Sequence, residues 1–242
     1  MKLANPSDGY CGENGAHEWR GHLYALMGLA YYREPTRGFI DGLVENDPFS
    51  PSAFLSVDEQ MARGLRLLSG SLAPFMGGVP DRELERLQGD HCQLFIGSGM
   101  PAAPPWESFY RTEERLMFSN HTLEVRAFYE RFGLVSERKE QEPEDHIGLE
   151  LEFMACLCDR QGECLRKGDV GGAAVTVQAQ RDFLDDHLLR WVSRFCEGVD
   201  RCAWTDFFRG MAHLTEGFLA WDLHFLGKAE TDGLGHIRKT GL

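Results

Sequence analysis

Long apolar segments are missing from this 242-residue sequence. The longest nearly apolar run, LYALMGLAYY at residues 23–32, has ten residues, whereas a membrane-spanning helix needs about 20. The amino-terminal stretch MKLANPSDGYCGENGAHEW has one lysine followed by polar and glycine-rich sequence, so it lacks the apolar centre of a secretory signal peptide. We therefore expect a cytoplasmic protein without stable membrane association.

Basic residues are also scarce. Lysine and arginine together number 25 against 38 aspartates and glutamates, which gives a formal net charge of −13. Because nucleic-acid binding depends on basic patches that neutralise phosphates, this balance argues against a nucleic-acid partner. The excess of acid is compatible with a cationic partner, although such a net charge often serves only solubility.

The cysteines show no metal-binding spacing. There are seven of them; Cys156, Cys158 and Cys164 form one group, and Cys196 and Cys202 form another. Neither group contains the C-x2-C pair that is typical of zinc and iron–sulfur sites. In a reducing compartment an odd number of cysteines is expected to remain as free thiols, so the sequence predicts neither a metal site nor a disulfide framework.

Standard nucleotide-binding loops are absent as well. GSGMPA at residues 97–102 matches the start of a dinucleotide-binding fingerprint, which requires a helix to begin directly after the glycines. Pro101, Pro104 and Pro105 prevent a helix from starting there. The sequence also lacks G-x-x-x-x-G-K-S/T and G-x-S-x-G, so nothing predicts a nucleotide cradle or a serine nucleophile.

The sequence does contain a succession of helical patterns. Apolar residues recur at intervals of three and four, and no alternating strand pattern or internal repeat competes with them. We predict an all-α fold with one domain over residues 1–242, a core at about residues 18–226, and flexible polar tails at both ends. Predicted helices include residues 58–76, 112–132, 173–195 and 204–226, the last ending before a polar tail from Gly227. The predicted core residues are Trp19, Leu23, Leu26, Met27, Ala30, Tyr31, Met61, Leu65, Leu68, Leu84, Leu87, Leu116, Leu123, Val125, Phe128, Ile147, Leu151, Met154, Cys158, Phe183, Leu184, Leu188, Trp191 and Phe195.

The segment EPEDHIGLELEF surrounds a histidine with acids and then continues as a helical pattern. His146 and Glu150 are four residues apart, so together with Asp145 they could present an imidazole and carboxylates to a metal ion. The alternative is a helix start, in which Pro143 occupies the first helical position and the neighbouring acids complement the helix dipole. A binding role can be added to the second alternative.

The segment PAAPPWESFY at residues 101–110 combines three prolines with three large aromatic residues. The prolines stiffen a predicted loop, and Trp106, Phe109 and Tyr110 lie in it or just after it. In one interpretation these rings pack onto the helices and hold the loop in place. In the other they form an apolar groove with an amphipathic rim, which suits peptide binding.

These segments, in this order and spacing, resemble the TorD/DmsD/NarJ family of redox-enzyme maturation chaperones. The combination of E-P-x-D-H with P-W-E-S-x-Y carries the resemblance, which extends over roughly residues 18–226 and is nearest to the TorD/DmsD branch. The resembling segments are QLFIGSGMPAAPPWESFY, TLEVRAFYERFGL, EPEDHIGLELEFM, DFLDDHLLRW and FFRGMAHLTEGFLAWD.

The resemblance implies a helical bundle of the TorD/DmsD type without catalytic turnover. Members of the family bind the twin-arginine leader, and some also the body, of a molybdenum-cofactor oxidoreductase in the cytoplasm, and delay its export until the cofactor is inserted. Some members contact the molybdenum cofactor or guanine nucleotide, and some form domain-swapped dimers. The resemblance therefore implies no tightly bound cofactor and allows a monomer or a homodimer. The implied leader-binding residues are Leu94, Phe95, Trp106, Glu107, Ser108, Tyr110, Glu142, Pro143, Asp145 and His146.

The residues themselves agree with leader binding, because an acidic protein with an aromatic loop complements two arginines followed by an apolar stretch. An exposed ion pair contributes about 0–1 kcal/mol and a buried Leu or Phe about 1.5–3 kcal/mol. The apolar part must therefore supply most of the roughly 8 kcal/mol of a micromolar complex. We assign Asp145 to a leader arginine, with His146 holding its carboxylate. Two alternatives stay open: a metal-dependent hydrolase using Asp145, His146 and Glu150, and a cysteine-based redox-sensing protein.

Overall fold

A computed structural model describes residues 16–49, 58–97, 99–113, 118–134 and 142–237, with side chains up to Gly227. Within these ranges the chain forms α-helices with short 3-10 and π-helical turns, and it contains no β-strand. The predicted all-α fold is confirmed. Its organisation as one domain with a core at about residues 18–226 and flexible tails stays a prediction.

The described part of the chain contains ten α-helices. In the first half they are α1 (Ala16–Tyr32), α2 (Arg37–Asn46), α3 (Glu59–Leu72), α4 (Asp81–His91), α5 (Glu107–Arg111) and α6 (Asn120–Arg131). In the second half they are α7 (Ile147–Arg166), α8 (Val170–Phe183), α9 (Leu189–Cys202) and α10 (Asp206–Ile237). A 3-10 turn (Ala73–Phe75) follows α3, and π-helical turns follow α4 (Cys92–Ile96) and α8 (Leu184–Leu188).

Two helix pairs pack most extensively, α1 against α7 and α3 against α10. Glycines make these contacts close. A Cβ atom at Gly28 on α1 would lie 2.9 Å from the carbonyl oxygen of Gly148 on α7, and one at Gly64 on α3 would lie 2.8 Å from that of Gly210 on α10. Any side chain there would force the helices apart, so these glycines are compatible with the helical fold.

Most of the predicted core is buried, but α6 differs from its prediction. Leu123 is 55% exposed, because α6 buries Val125, Phe128 and Tyr129 on another face. Trp19 and Leu84 are partly buried against the core, and Leu116 lies outside the described residues. The buried predicted residues are Leu23, Leu26, Met27, Ala30, Tyr31, Met61, Leu65, Leu68, Leu87, Val125, Phe128, Ile147, Leu151, Met154, Cys158, Phe183, Leu184, Leu188, Trp191 and Phe195.

Several helix boundaries differ from prediction for local reasons. The helix predicted at residues 112–132 begins at Asn120, where the Ser119 side chain caps it by accepting a hydrogen bond from the amide of His121. The final helix continues to Ile237 rather than ending before Gly227, because glycine lowers helix propensity without blocking the helix as proline does. The helix predicted at residues 173–195 is longer and runs from α8 through the π-turn into α9.

Candidate functional site

The two unusual sequence segments meet in space. Trp106 and His146 form an isolated antiparallel bridge, in which the amide of Ile147 donates to the carbonyl of Pro105 at 2.8 Å and the amide of Glu107 donates to the carbonyl of Asp145 at 2.9 Å. We call residues 105–108 together with residues 142–147 the motif junction. The bridge also starts α5, which explains why a stretch predicted as loop ends in a helical turn.

His146 caps the amino end of α7, and the helix does not start at Pro143. Its Nδ1 accepts a hydrogen bond from the amide of Gly148 at 3.0 Å, so the helix begins at Ile147 and the prediction that Pro143 is the first helical residue is wrong. Burial, reinforced by the charge of His91, lowers the pKa of His146 to about 3. The ring is therefore neutral near pH 7, as an acceptor at Nδ1 requires.

Asp145 binds the backbone of the junction from the protein interior. Its side chain is fully buried, and its Oδ2 accepts a hydrogen bond from the amide of Ser108 at 2.8 Å. Burial raises the pKa of Asp145, and hydrogen bonding from Ser108 opposes the rise. The hypothesis that His146 holds this carboxylate is wrong, because the carboxylate fixes the start of α5 and His146 fixes the start of α7.

Glu107, Asp145 and Glu150 form a buried acidic cluster beneath the junction. The side chain of Glu107 is fully buried; Oε1 accepts from Arg111 at 2.5 Å, and Oε2 lies 3.0 Å from Nδ1 of His187. Arg111 also donates to the carbonyl of Asp186 at 2.8 Å. The glutamate of the P-W-E-S motif therefore ties α5 to the π-turn between α8 and α9.

Glu150 completes this cluster as a buried carboxyl group whose pKa is raised. Its side chain is fully buried, and Trp191 Nε1 donates to its Oε2 at 3.3 Å. Burial raises the pKa of Glu150 well above 4.5, and the nearby charges of Glu107 and Asp145 raise it further. Like charges that close together cannot all be ionised at low cost, so the arrangement favours the neutral form of Glu150.

The outer face of the junction combines an aromatic ring with acids. Trp106 is partly exposed, and its Nε1 donates to Oε1 of Glu142 at 2.7 Å. Behind it, the Glu144 carboxylate receives two hydrogen bonds of 2.8 Å from Arg126. The hydroxyl of Tyr129 donates to the Glu144 carbonyl at 3.0 Å. Glu144 is thus paired with Arg126 rather than supporting a helix start.

The chain before the junction folds back on itself. The amides of Ala102 and Ala103 donate to the carbonyls of Gln93 and Leu94 at 3.1 and 2.9 Å, and Gly97 has a φ of 61°, which suits glycine. This closes a loop from which Ile96 and Met100 project, 55% and 61% exposed. The loop therefore presents two apolar side chains to solvent.

Three of the predicted leader-binding residues pack against the protein core: Leu94, Phe95 and Tyr110. Leu94 and Phe95 are buried, and the Phe95 ring packs 5.6 Å from Tyr31. The Tyr110 ring stacks 5.4 Å from Trp191. Trp106 and Glu142 are therefore the predicted site residues that combine partial exposure with a place on the outer face of the junction.

Comparison with known proteins identifies the family. The family model described as nitrate reductase delta subunit, the NarJ/TorD family, matches residues 58–197, more than half of the chain. The chain belongs to this family. The matched range includes the whole motif junction, so the NarJ/TorD resemblance predicted from the motifs is confirmed.

Individual relatives extend the similarity to most of the chain. The chaperone protein TorD of Photobacterium profundum is 30% identical over 210 residues, which cover 87% of this chain and 95% of the relative. The chaperone protein TorD of a Vibrio cholerae O1 strain is 28% identical over 199 residues, 81% of each chain. The protein of Haemophilus influenzae named "Probable Tat proofreading chaperone DmsD" is 33% identical over 122 residues, 50% of this chain and 53% of the relative.

The geometry does not support the metal hypothesis for this NarJ/TorD member. Within the described parts of the chain, no group of three or more His, Cys, Asp and Glu side chains could hold a metal ion. Asp145, His146 and Glu150 face three different partners, Ser108, Gly148 and Trp191 respectively. The three residues therefore do not form a group of ligands of the kind that a metal ion needs.

The described thiols with shifted pKa values also do not suit redox sensing, which needs an exposed thiol of depressed pKa. Burial raises the pKa of Cys158 to about 12 and raises the pKa values of Cys156 and Cys196.

Among the described residues, every helix is too short or too polar to cross a membrane.

Sequence reasoning missed the residues that complete the junction from other helices. Arg126, Tyr129, His187 and Trp191 bind its acids or its backbone. Tyr32 packs its ring 5.1 Å from that of His146. Arg126 and Tyr129 lie in the segment TLEVRAFYERFGL, and His187 and Trp191 lie in DFLDDHLLRW. Both segments resemble the family, but no pattern in them indicates that these side chains meet the junction, and only the folded structure brings them there.

Proposed function

We propose that this protein is a cytoplasmic chaperone that binds the twin-arginine leader, the body, or both, of a molybdenum-cofactor oxidoreductase. It assists cofactor insertion and delays export of the client until maturation is complete. The membership in the NarJ/TorD family and the chaperone names of the relatives support this proposal. The molybdenum cofactor is cargo for the client, so contact with it or with guanine nucleotide is transient, and the chaperone itself performs no catalytic turnover.

The observation that carries the proposal is the pairing of the two motifs into one junction. Trp106 and Glu142 stand side by side on its outer face, joined by a hydrogen bond of 2.7 Å. An aromatic ring beside a carboxylate complements the leader, because the ring accepts apolar side chains and the carboxylate accepts a guanidinium. The exposed Ile96 and Met100 add apolar surface on the preceding loop.

The junction residues divide into two roles. Trp106 and Glu142 contact the leader, whereas the buried Glu107, Ser108 and Asp145 position them. A side chain with no exposed surface cannot reach a ligand without rearrangement, but it can hold a contact residue in place. This division explains why the motif contains more residues than a peptide could touch.

The first test compares loss of the ring with loss of an acid. We expect Trp106→Ala to weaken binding of a twin-arginine leader peptide more than Glu144→Gln does, since a buried aromatic contributes about 1.5–3 kcal/mol and Glu144 is already paired with Arg126. Isothermal titration calorimetry measures both affinities. Phe118→Ala, which removes an exposed ring elsewhere, is the matched control, and the reverse ranking of Trp106→Ala and Glu144→Gln would exclude an apolar groove.

The second test asks which acid reads the arginines. The sequence assigns this role to Asp145, but its carboxylate is bound inside the protein, so we propose Glu142 instead. Glu142→Gln should reduce the preference for an Arg-Arg leader over a Lys-Lys leader, whereas Asp145→Asn should weaken both leaders equally. If Glu142→Gln also weakens both equally, Glu142 only holds Trp106 in place.

The client can be identified by pull-down from anaerobically grown source cells, with this protein as bait and mass spectrometry as the readout. Recovery of one molybdoenzyme precursor with its leader intact is the expected result. Recovery of no such precursor, together with no calorimetric binding of twin-arginine peptides, would contradict the proposed function.

A further inference from the structure

The motif junction has a second aromatic edge, which the last residue of α1 supplies. The Tyr32 ring packs 5.1 Å from that of His146 at an interplanar angle of 88°, and the Trp106 ring packs 6.2 Å from the same imidazole at 82°. Tyr32 and Trp106 are both partly exposed. The two rings therefore belong to one surface, although they come from distant segments of the chain.

The position of Tyr32 is set by the junction rather than by the hydrophobic core. Its neighbour Tyr31 is 1% exposed, and the Tyr31 hydroxyl lies 2.9 Å from that of Thr215 on α10. Tyr32 instead lies against the start of α7, where a Cβ atom at Gly148 would be 2.7 Å from the Cβ atom of Tyr32. A side chain at position 148 would displace Tyr32, so the motif segment itself makes room for this ring.

The carboxyl end of α1 favours a cation beside the Tyr32 ring. The last carbonyls of a helix carry partial negative charge, which stabilises a positive group near the last turn, and α1 has no basic residue in that turn. The guanidinium of Arg33, directly after α1, lies over the Tyr32 ring at 5.4 Å from its centre. This distance is within the roughly 6 Å of a cation–π interaction. The ring therefore holds a guanidinium that the protein itself supplies.

A twin-arginine leader brings two guanidinium groups, but the acids at the junction are mostly inaccessible to them. Three acids at or beneath the junction are fully buried, namely Glu107, Asp145 and Glu150. A fourth, Glu144, is paired with Arg126. Glu142 is the described junction acid that is partly exposed and lies on the outer face. A second guanidinium therefore needs a partner of another kind on the same surface.

We infer that Tyr32 is a further contact residue for the leader, whose ring binds one of the two arginine guanidinium groups while Glu142 binds the other. Arg33 occupies the ring until the leader arginine displaces it. This inference rests on the proposed function, because the ligand is the twin-arginine leader. An arginine suits both partners, since its planar guanidinium stacks on an aromatic ring and also forms paired hydrogen bonds to a carboxylate.

The test uses the full chain and twin-arginine leader peptides in which the first or the second arginine is replaced by citrulline, its uncharged isostere. Isothermal titration calorimetry measures the affinity of each peptide. For the wild type, citrulline at either position should weaken binding about two- to fivefold or more. For Tyr32→Leu this penalty should disappear at one position and remain at the other, and Glu142→Gln should show the opposite pattern. Tyr32→Phe keeps the ring and should behave as the wild type.

A purely structural role of Tyr32 would not produce this dependence on position, because a damaged junction lowers the affinity for all the peptides alike. Citrulline penalties that remain at both positions in Tyr32→Leu would overturn the inference. The inference would also be wrong if Tyr32→Leu and Glu142→Gln removed the penalty at the same arginine.

Arg33 provides an independent measurement. If its guanidinium occupies the Tyr32 ring, Arg33→Ala should tighten binding of the unmodified leader about two- to fivefold, and this gain should be absent in the Tyr32→Leu background. Arg66→Ala, which removes an exposed arginine on α3, controls for the change in net charge. An equal gain with and without the Tyr32 ring would contradict the displacement of Arg33.

The proposed function and this inference fail in different ways. If no twin-arginine peptide binds the wild type, the leader-binding function is wrong, and the role of Tyr32 is wrong with it. If the leader binds and Trp106→Ala weakens it, while both citrulline penalties remain in Tyr32→Leu, the function stands and the role of Tyr32 is wrong.

Discussion

Among the buried polar networks that connect described helices, two differ clearly in how their charges are balanced. In the first, Arg20 on α1 forms a two-pronged ion pair with Asp222 on α10, with one hydrogen bond of 2.8 Å. Tyr24 donates to the same carboxylate at 2.6 Å, and Arg20 also donates to Gln180. One cation therefore meets one anion, and both are fully buried.

The second network is the acidic cluster of the motif junction. Glu107, Asp145 and Glu150 are all fully buried, and the cationic groups bound to them are Arg111 and, when protonated, His187. The two networks therefore differ in their structural roles. The balanced network joins α1 and α10, whereas the acid-rich one lies beneath the surface proposed to receive a cationic leader and contains a carboxyl group, Glu150, whose pKa is raised.

The largest expected effect comes from breaking the balanced network. Asp222→Ala leaves Arg20 buried without its counter-ion, and such losses destabilise proteins by about 3–5 kcal/mol. Guanidinium chloride unfolding measures the change in the free energy of unfolding. Asp206→Ala, at the exposed start of the same helix, should cost at most about 1 kcal/mol. If Asp222→Ala does not fold, the milder variant Tyr24→Phe should still lower the free energy of unfolding by about 0.5–1.5 kcal/mol. Equal stability of Tyr24→Phe and the wild type would contradict the role of this network.

The acid-rich network is tested by removing its proton-binding group. Above pH 4.5 the unfolded chain loses the proton of Glu150 while the folded chain keeps it. The wild type should therefore lose up to about 1.4 kcal/mol of stability for each pH unit until the raised pKa is reached. Glu150→Gln cannot ionise, so its stability relative to the wild type should rise from pH 5 to pH 8. Urea unfolding across this range measures the slopes, with the exposed Glu152→Gln as the control that keeps the wild-type slope. Parallel curves for Glu150→Gln and the wild type would mean that Glu150 ionises as readily in the folded state as in the unfolded one.

A smaller effect is expected at acidic pH from His146. As the pH falls below 6.5, the unfolded chain takes up a proton on this histidine, whereas the folded chain resists protonation down to about pH 3. Stability is therefore lost between these values. His146→Asn keeps a side chain that can cap α7 and should reduce this loss. It should not abolish the loss, because His91, with a pKa lowered by burial to about 4, titrates in the same window. Melting temperatures between pH 4 and pH 7 measure the difference, and an identical acid dependence of the variant and the wild type would show that His146 is accessible to protons.

Local patterns in the sequence were sufficient for most of the fold. The buried faces of α1, α3 and α7 follow the spacing of three and four residues, because that spacing is a property of each helix alone. The prediction was wrong where a distant residue decided the outcome. The helical turn of α5 begins because Asp145, 37 residues away, accepts the hydrogen bond of Ser108, and no local pattern contains that information.

The sequence by itself determined the helical class of this protein, most of its core and the family whose motifs it carries, since periodicity and motifs are written in consecutive letters. Only the tertiary structure decided which motif residues reach the surface. Trp106 and Glu142 remain accessible, whereas Glu107, Ser108 and Asp145 are buried beneath them. The physical reason is that burial depends on helices far apart in the chain, such as α6 and α9, which supply Arg126 and Trp191 to the junction.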